Sequence, residues 1–311
     1  MRTDLSLPAR EATSRRLPRA SKYRYRDWPW VLLFLGPNFV LFVAFLAFPV
    51  AYGLYISFFK WNIIETPTFI GFANYWRFFT DPLTPKLATN SLYYLGGTVV
   101  PIIVLSLVNA VLLNAVKRFI PFWRGLFFLP LVTSPVAAAA VWRWMYAKDN
   151  GLVNYFVTRL GVSPQDWLYN TTWAMPALII VTIWLALPFN TILYLAGLQE
   201  IPEELYEAAS LDGASTWQQF RRITVPLLTP TTFFVFLITV ISVLFGSFDI
   251  VNVMTQGGPL NSTNTFIYTI YQNAFQFFQL GYASAQAYLL FVVVFIFTLI
   301  NWRLQKKWVH Y

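Results

Sequence analysis

The chain has 311 residues, of which 57% are hydrophobic and only 11% are charged, and its formal net charge is +9. A soluble domain of this length carries more charge, so the composition predicts an all-α integral membrane protein. The sequence has no cysteine, which excludes disulfides, thiolate catalysis and cysteine metal sites, and it lacks the strands of alternating polarity that a membrane β-barrel needs.

The first 28 residues form a basic tail with eight Lys or Arg. The apolar run behind this tail continues without the small-residue site at which a signal peptide is cleaved, so we expect an uncleaved first helix behind a largely disordered tail. We interpret the tail as a determinant of membrane orientation, with lipid or RNA recognition as the alternative. The other basic residues also flank apolar runs, and nucleic acid is therefore not an expected partner.

Six apolar runs are long enough to cross a hydrocarbon core of about 30 Å as helices. They cover approximately residues 29–59, 90–116, 121–146, 173–198, 226–254 and 283–303 of a transmembrane domain that spans 29–311. Six crossings place both termini on one side, which carries 16 Lys and Arg against six on the other. Since cytoplasmic segments hold the excess, we predict that both termini and the loop 199–225 are cytoplasmic.

Three segments on the opposite side, about 60–89, 147–172 and 255–282, are long enough to hold structure of their own. Apolar spacing from Leu152 to Leu160 predicts a short amphipathic helix along the membrane surface. The third segment begins with a Gly-Gly-Pro turn and continues as an aromatic helix. Prolines inside several spans favour kinked helices around a transport pathway, with ordinary helix packing as the alternative.

The loop 199–225 has the pattern of two short amphipathic helices. Pro202 and the acidic residues behind it suit a helix start. Ser215, with Gln218 three residues later, predicts a capping box at the start of the second helix, after a break at Gly213.

Small and charged residues in this loop suit close contact with a basic partner. These candidate docking residues are Glu207, Ala208, Ala209, Asp212 and Gly213. The alternative is a helix pair that folds back on its own bundle, and the residues by themselves leave both interpretations open.

The loop also resembles a known motif. Glu207-Ala208-Ala209, three residues, Gly213, nine residues and then Ile223-Thr224-Val225-Pro226 are similar to the EAA loop of bacterial ABC importer permeases, with Val225 where leucine is usual. Further resemblance to the carbohydrate-uptake members, similar to the maltose and glycerol-3-phosphate permeases, lies at Phe127–Pro130, Ser134-Pro135, Thr255–Pro259 and Gly281–Ala285.

This resemblance implies the fold of a type I ABC importer permease, with a cytoplasmic coupling helix between helices 4 and 5. In that family the loop docks on a cytoplasmic ATPase, so Glu207 is expected to pair with a basic ATPase residue, Gly213 to permit the turn, and Ala208 and Ala209 to pack in the ATPase cleft. The implied partners are a second permease subunit that forms a heterodimer, two ATPase copies, an external substrate-binding protein and membrane lipid.

The chain lacks the residues of an enzyme. It has no G-x-x-x-x-G-K-[S/T] run to hold ATP phosphates, and its one histidine, His310, is the penultimate residue. We therefore expect no catalytic residue, cofactor or metal in this chain, with ATP and Mg²⁺ bound by the separate ATPase subunit.

Asp249 is the one acidic residue clearly within an apolar span, and a carboxylate in that position is often functional. With Asn252 and Gln256 three and seven residues later, it predicts a polar patch for sugar hydroxyls. The candidate contributors from the fourth span are Trp184, Asn190 and Tyr194. The alternative is that Asp249 lies near enough to the external end of its helix to reach interfacial water.

Together these features predict a permease subunit in the cytoplasmic (inner) membrane of a bacterium or archaeon. It would form half of an alternating-access pathway for a di- or oligosaccharide, driven by ATP and fed by a binding protein. The alternatives are import of glycerol-3-phosphate or a related polyol compound by the same architecture, a passive solute channel, and a membrane-anchored scaffold or sensor.

Overall fold

The computed structural model describes residues 28–115, 122, 125 and 127–308, with side chains up to residue 304. The predicted basic tail, 1–28, lies outside this description except for its last residue. The chain divides into two compact units, Met1–Gly53 and Leu54–Tyr311.

The first long helical run consists of α1 (Trp28–Phe42), a π-helical turn (Val43–Ala47) and α2 (Phe48–Ile56). It is apolar on all sides, and none of its residues is buried within the chain. A helix without a polar face is stable where lipid or another apolar surface surrounds it. The run therefore has the character of a membrane-spanning helix.

A two-stranded hairpin and a series of further α-helices follow. In chain order they are β1 (Phe59–Lys60), β2 (Thr68–Phe69), α3 (Ala73–Thr80), α4 (Thr84–Ala115), α5 (Pro135–Met145), α6 (Leu152–Arg159), α7 (Ala174–Gln199), α8 (Glu203–Leu211), α9 (Thr216–Gln219), α10 (Val225–Leu227), α11 (Thr229–Met254), α12 (Phe266–Tyr271) and α13 (Leu280–Trp308). The short antiparallel hairpin is a small departure from the predicted all-α fold.

Four helices, α4, α5, α7 and α11, pack together as the centre of the bundle. Their buried residues form two clusters, one around Leu178 and Val251 and the other around Tyr194 and Leu228. The second cluster lies toward the end of the bundle that carries α8. There α7 and α11 approach so closely that a Cβ built on Gly197 would lie 2.5 Å from the Thr231 Oγ1.

Five helical runs are long and apolar enough to cross a membrane among the residues that the structure describes: Trp28–Ile56, Thr84–Ala115, Ala174–Gln199, Thr229–Met254 and Leu280–Leu304. They match the first, second, fourth, fifth and sixth predicted spans, with edges shifted by up to about six residues. The third predicted span, 121–146, falls partly outside the described residues. Its described part holds a 3-10 turn at Leu129–Val132 and then α5, since Pro135 favours the first position of a new helix. The count of six spans stays a prediction.

The predicted amphipathic helix of the second external segment is confirmed as α6, which ends at Arg159, one residue before Leu160. The buried Asn154 side chain holds the loop around it. Its Nδ2 donates to the carbonyl oxygens of Lys148 at 2.9 Å and Gln165 at 2.8 Å, and its Oδ1 accepts from the indole nitrogen of Trp167 at 2.8 Å. The Asn154 side chain thus fixes the conformation of this loop, which the apolar periodicity of the sequence does not predict.

Candidate functional site: the 199–225 corner and an interhelical cleft

The loop 199–225 folds into a corner formed by α8, Gly213 and α9. Helix α8 begins after Pro202 with Glu203 and Glu204 in its first turn, where carboxylates interact favourably with the helix dipole. The chain then turns at Gly213, which has a φ of +77°. This left-handed conformation disfavours any residue with a Cβ, so glycine is the residue that lets the second helix begin here.

The predicted capping box of α9 is confirmed. The Ser215 Oγ accepts from the Gln218 backbone nitrogen at 3.4 Å, and the Gln218 Oε1 accepts from the Ser215 backbone nitrogen at 2.7 Å. These reciprocal bonds satisfy amide groups that the first turn of a helix leaves free. The start of α9 is therefore fixed by local sequence.

Side chains also tie the two arms of the corner together. The hydroxyls of Tyr206 and Thr224 lie 2.9 Å apart, and Thr224 is buried. On the other side, the Gln219 Nε2 donates to the Ser210 Oγ at 2.8 Å. The corner is consequently one folded piece and not two independent helices.

The outer surface of the corner is apolar at its tip. Leu211, the last residue of α8, is 90% exposed, and Trp217 on α9 is 67% exposed. Glu207, Ala208, Asp212 and Gly213 are exposed beside them, whereas Ala209 is half-buried. Such an apolar tip with an acidic rim is typical of a protein-docking surface.

Sequence reasoning found the small and acidic residues of this surface but missed Leu211. The sequence does indicate this exposure. Leu211 directly precedes the Asp-Gly turn, so the helix ends there and no further helical turn covers the leucine side chain.

A second feature is a cleft of about 210 Å³ between α7 and α11, with Pro135 of α5 at one side. Most of its lining is aliphatic. The polar side chains that line it are those of Thr182, Asn190, Thr239, Ser242 and Asp249.

Asn190 and Asp249 differ in how they are held. Asn190 is 3% exposed, its Oδ1 accepts from the Thr239 Oγ1 at 2.9 Å, and its Nδ2 donates to the Ala186 carbonyl oxygen at 2.9 Å. Asp249 is half-exposed, and within the described chain its carboxylate has neither a hydrogen bond nor an ion pair. Asn190 therefore joins α7 to α11, whereas Asp249 presents free acceptor oxygens to the cleft.

The remaining predicted pathway residues lie outside this cleft. Trp184 packs edge-to-face on Trp142 with ring centroids 5.8 Å apart, and Tyr194 is fully buried in the second core cluster. Asn252 is half-buried on the last turn of α11.

The expectation that Gln256 continues the helical face of Asp249 is wrong. Helix α11 ends at Met254, and Gln256 has a φ of +52° with its backbone nitrogen donating to the Val251 carbonyl oxygen at 2.7 Å. The helix stops because the Gly-Gly-Pro turn follows directly and proline cannot continue the backbone ladder. Of the six predicted pathway residues, the structure brings Asn190 and Asp249 together.

Within the described part of the chain, no group of three or more His, Cys, Asp or Glu side chains is placed to hold a metal ion.

Residues 97–309 match the family model described as a binding-protein-dependent transport system inner membrane component. A probable ABC transporter permease protein of Pyrococcus horikoshii is 34% identical over 279 residues, which is 89% of this chain and 95% of that protein. The sn-glycerol-3-phosphate transport system permease protein UgpA of Agrobacterium fabrum is 31% identical over 280 residues, 90% of this chain and 95% of that protein.

Solved structures match the fold over almost its whole length. A bacterial ABC transporter involved in import of the acidic polysaccharide alginate gives a TM-score of 0.80 at 24% identity, covering 91% of this chain and 96% of the matched chain. The alginate transporter in complex with an alginate pentasaccharide-bound periplasmic protein gives the same TM-score and identity, with 91% and 95% coverage.

Proposed function

The chain belongs to the family of binding-protein-dependent transport system inner membrane components, and on this premise we propose that it is a transmembrane subunit of an ATP-driven sugar importer. Its similar proteins are permease subunits and not enzymes. The substrate is a di- or oligosaccharide, and the chain forms half of the pathway. ATP and Mg²⁺ bind to a separate ATPase subunit.

The observation that carries this proposal is the exposed apolar corner. Leu211, which is 90% exposed, and Trp217, which is 67% exposed, form an apolar tip beside the exposed Glu207, and this combination suits a protein partner. The ATPase supplies an apolar cleft for Leu211 and Ala208 and a basic residue for Glu207. Two ATPase copies serve the complex, one on each permease.

The corner is also well positioned to transmit movement. Helix α8 begins four residues after α7 ends, and Thr224, which bonds to Tyr206, lies five residues before α11 begins. Both α7 and α11 line the cleft. A displacement of the corner by the ATPase therefore moves both walls of the cleft, which is what alternating access requires.

The other partners are a second permease subunit and an external substrate-binding protein. The cleft is lined mainly by two helices of this chain, α7 and α11, and the second permease completes the pathway in a heterodimer. The complex of the alginate transporter with a periplasmic protein supports a binding protein as donor of the solute. We place the chain in the inner membrane of a bacterium or archaeon, surrounded by lipid, with both termini cytoplasmic.

The proposal is tested by Leu211→Ser and Glu207→Lys in the complete importer. Both side chains are exposed, so the variants insert and fold, but we expect the ATPase to dissociate or uptake to become uncoupled from ATP hydrolysis. The matched control is Leu160→Ser, a leucine that is 82% exposed in the loop that follows α6. Normal ATP-dependent uptake by both variants contradicts the assignment of the corner, and solute flux through the isolated chain without ATP favours a passive channel.

A second candidate substrate is glycerol-3-phosphate or a related polyol compound, which the name of the Agrobacterium relative favours. Uptake of labelled glycerol-3-phosphate and of labelled disaccharides by the complete importer separates the two candidates.

A further inference from the structure

Three residues of α11 form one face of the cleft. Ser242, Gly246 and Asp249 are spaced at i, i+4 and i+7, which places them in one line along the helix, and all three line the cleft. No atom lies within 4 Å of a Cβ built on Gly246. The middle of this face is therefore open space with a hydroxyl on one side and a carboxylate on the other.

No positively charged side chain of the cleft neutralises the Asp249 carboxylate. The Asp249 carboxylate has no hydrogen-bond or ion-pair partner among the described residues, and no Lys or Arg lines the cleft. Arg143 of α5 is exposed and donates to the Val253 carbonyl oxygen at 3.2 Å, one turn beyond Asp249. The guanidinium is thus held on the backbone at the external end of α11.

An unpaired carboxylate between apolar walls has two chemical consequences. It accepts hydrogen bonds from hydroxyl groups more strongly than a neutral acceptor does, and two carboxylate oxygens can take the hydroxyls of a vicinal diol. It also repels a second negative charge that is brought close to it.

We propose that this cleft binds uncharged polyhydroxy solutes and excludes anionic ones, with Asp249 as the residue that makes the selection. This inference rests on the proposed transport function and narrows its substrate class. It separates this chain from the two similar systems whose names specify glycerol-3-phosphate or an acidic polysaccharide, because both of those solutes are anions.

The test uses the complete importer with its binding protein in proteoliposomes. ATP-dependent uptake is measured with a panel of labelled neutral disaccharides, glycerol-3-phosphate and uronic-acid oligosaccharides. We expect that the imported solute is neutral and that Asp249→Asn lowers its uptake by about five- to tenfold, because asparagine keeps an acceptor oxygen but loses the charge that strengthens the hydrogen bond. The matched control, Asp149→Asn, removes an exposed carboxylate from the loop before α6 and should leave uptake unchanged.

A second variant guards against a folding defect in Asp249→Asn. Gly246→Leu adds a side chain where a Cβ meets no atom within 4 Å, and we expect it to obstruct the cleft and abolish uptake while the complex still assembles. Import of an anionic solute, or unchanged uptake by Asp249→Asn or Gly246→Leu, overturns this inference while leaving the transport function intact. Absence of ATP-dependent uptake of every solute instead contradicts the proposed function itself.

Discussion

The left-handed turn at Gly213 allows a graded test of coupling. Gly213 has a φ of +77°, and no atom lies within 4 Å of a Cβ built there. A substitution therefore meets no steric clash with neighbouring atoms, and its cost is the backbone strain of the left-handed conformation, about 1–2 kcal/mol for an ordinary residue. Asparagine tolerates the conformation better than alanine does, and a β-branched residue tolerates it worst.

Since about 1.4 kcal/mol corresponds to a tenfold change in an equilibrium, this strain shifts the corner away from its docking shape by roughly 5- to 30-fold. We expect the ratio of solute imported to ATP hydrolysed to fall in the order Gly213→Asn, Gly213→Ala, Gly213→Val. The assay measures both quantities in proteoliposomes that contain the complete importer.

A matched glycine separates coupling from general stability. Gly161, in the loop after α6, has a φ of +84° and equally open surroundings. Gly161→Ala therefore has the same backbone strain, and we expect a similar loss of thermal stability but an unchanged import ratio. If Gly161→Ala lowers the ratio as much as Gly213→Ala, or if Gly213→Val leaves it unchanged, the assignment of the corner as the coupling element is refuted.

Two further predictions concern packing. Gly197→Val should destabilise the fold by about 1–3 kcal/mol and lower the apparent melting temperature of the purified protein, because its Cβ would lie 2.5 Å from the Thr231 Oγ1. The control is Gly246→Val, which should leave the melting temperature unchanged because no atom lies within 4 Å of a Cβ built on Gly246. Asn154→Ala should increase proteolysis of the loop around α6, because the lost hydrogen bonds contribute about 1–3 kcal/mol. Exposed Asn150→Ala is its control, and equal cleavage of the two variants contradicts the role assigned to Asn154.

The corner illustrates what local sequence predicts well. The break at Gly213 and the capping box of Ser215 and Gln218 depend on residues within one helical turn of each other, and both are present in the structure. The end of α11 is also set by nearby residues. The prediction for Gln256 failed because it extended the helix two residues past Met254, where the Gly-Gly-Pro turn ends it.

The pathway residues illustrate what local sequence does not predict. Asn190 and Thr239 are 49 residues apart and meet at 2.9 Å across two helices. Helix α7 is apolar on every side, so its periodicity gives no preferred face, and nothing in the sequence distinguishes cleft-lining Asn190 from buried Tyr194.

Sequence by itself determined that the chain is helical and membrane-spanning, because only helices satisfy every backbone group of long apolar runs in lipid. It also located the corner, whose turn and cap are local. Only the tertiary structure showed which sides of α7 and α11 face each other, that Asp249 lines a cleft, and that the Leu211 side chain is exposed. These outcomes depend on close packing between helices distant in the chain, such as Gly197 against Thr231, which hydrophobic pattern does not encode.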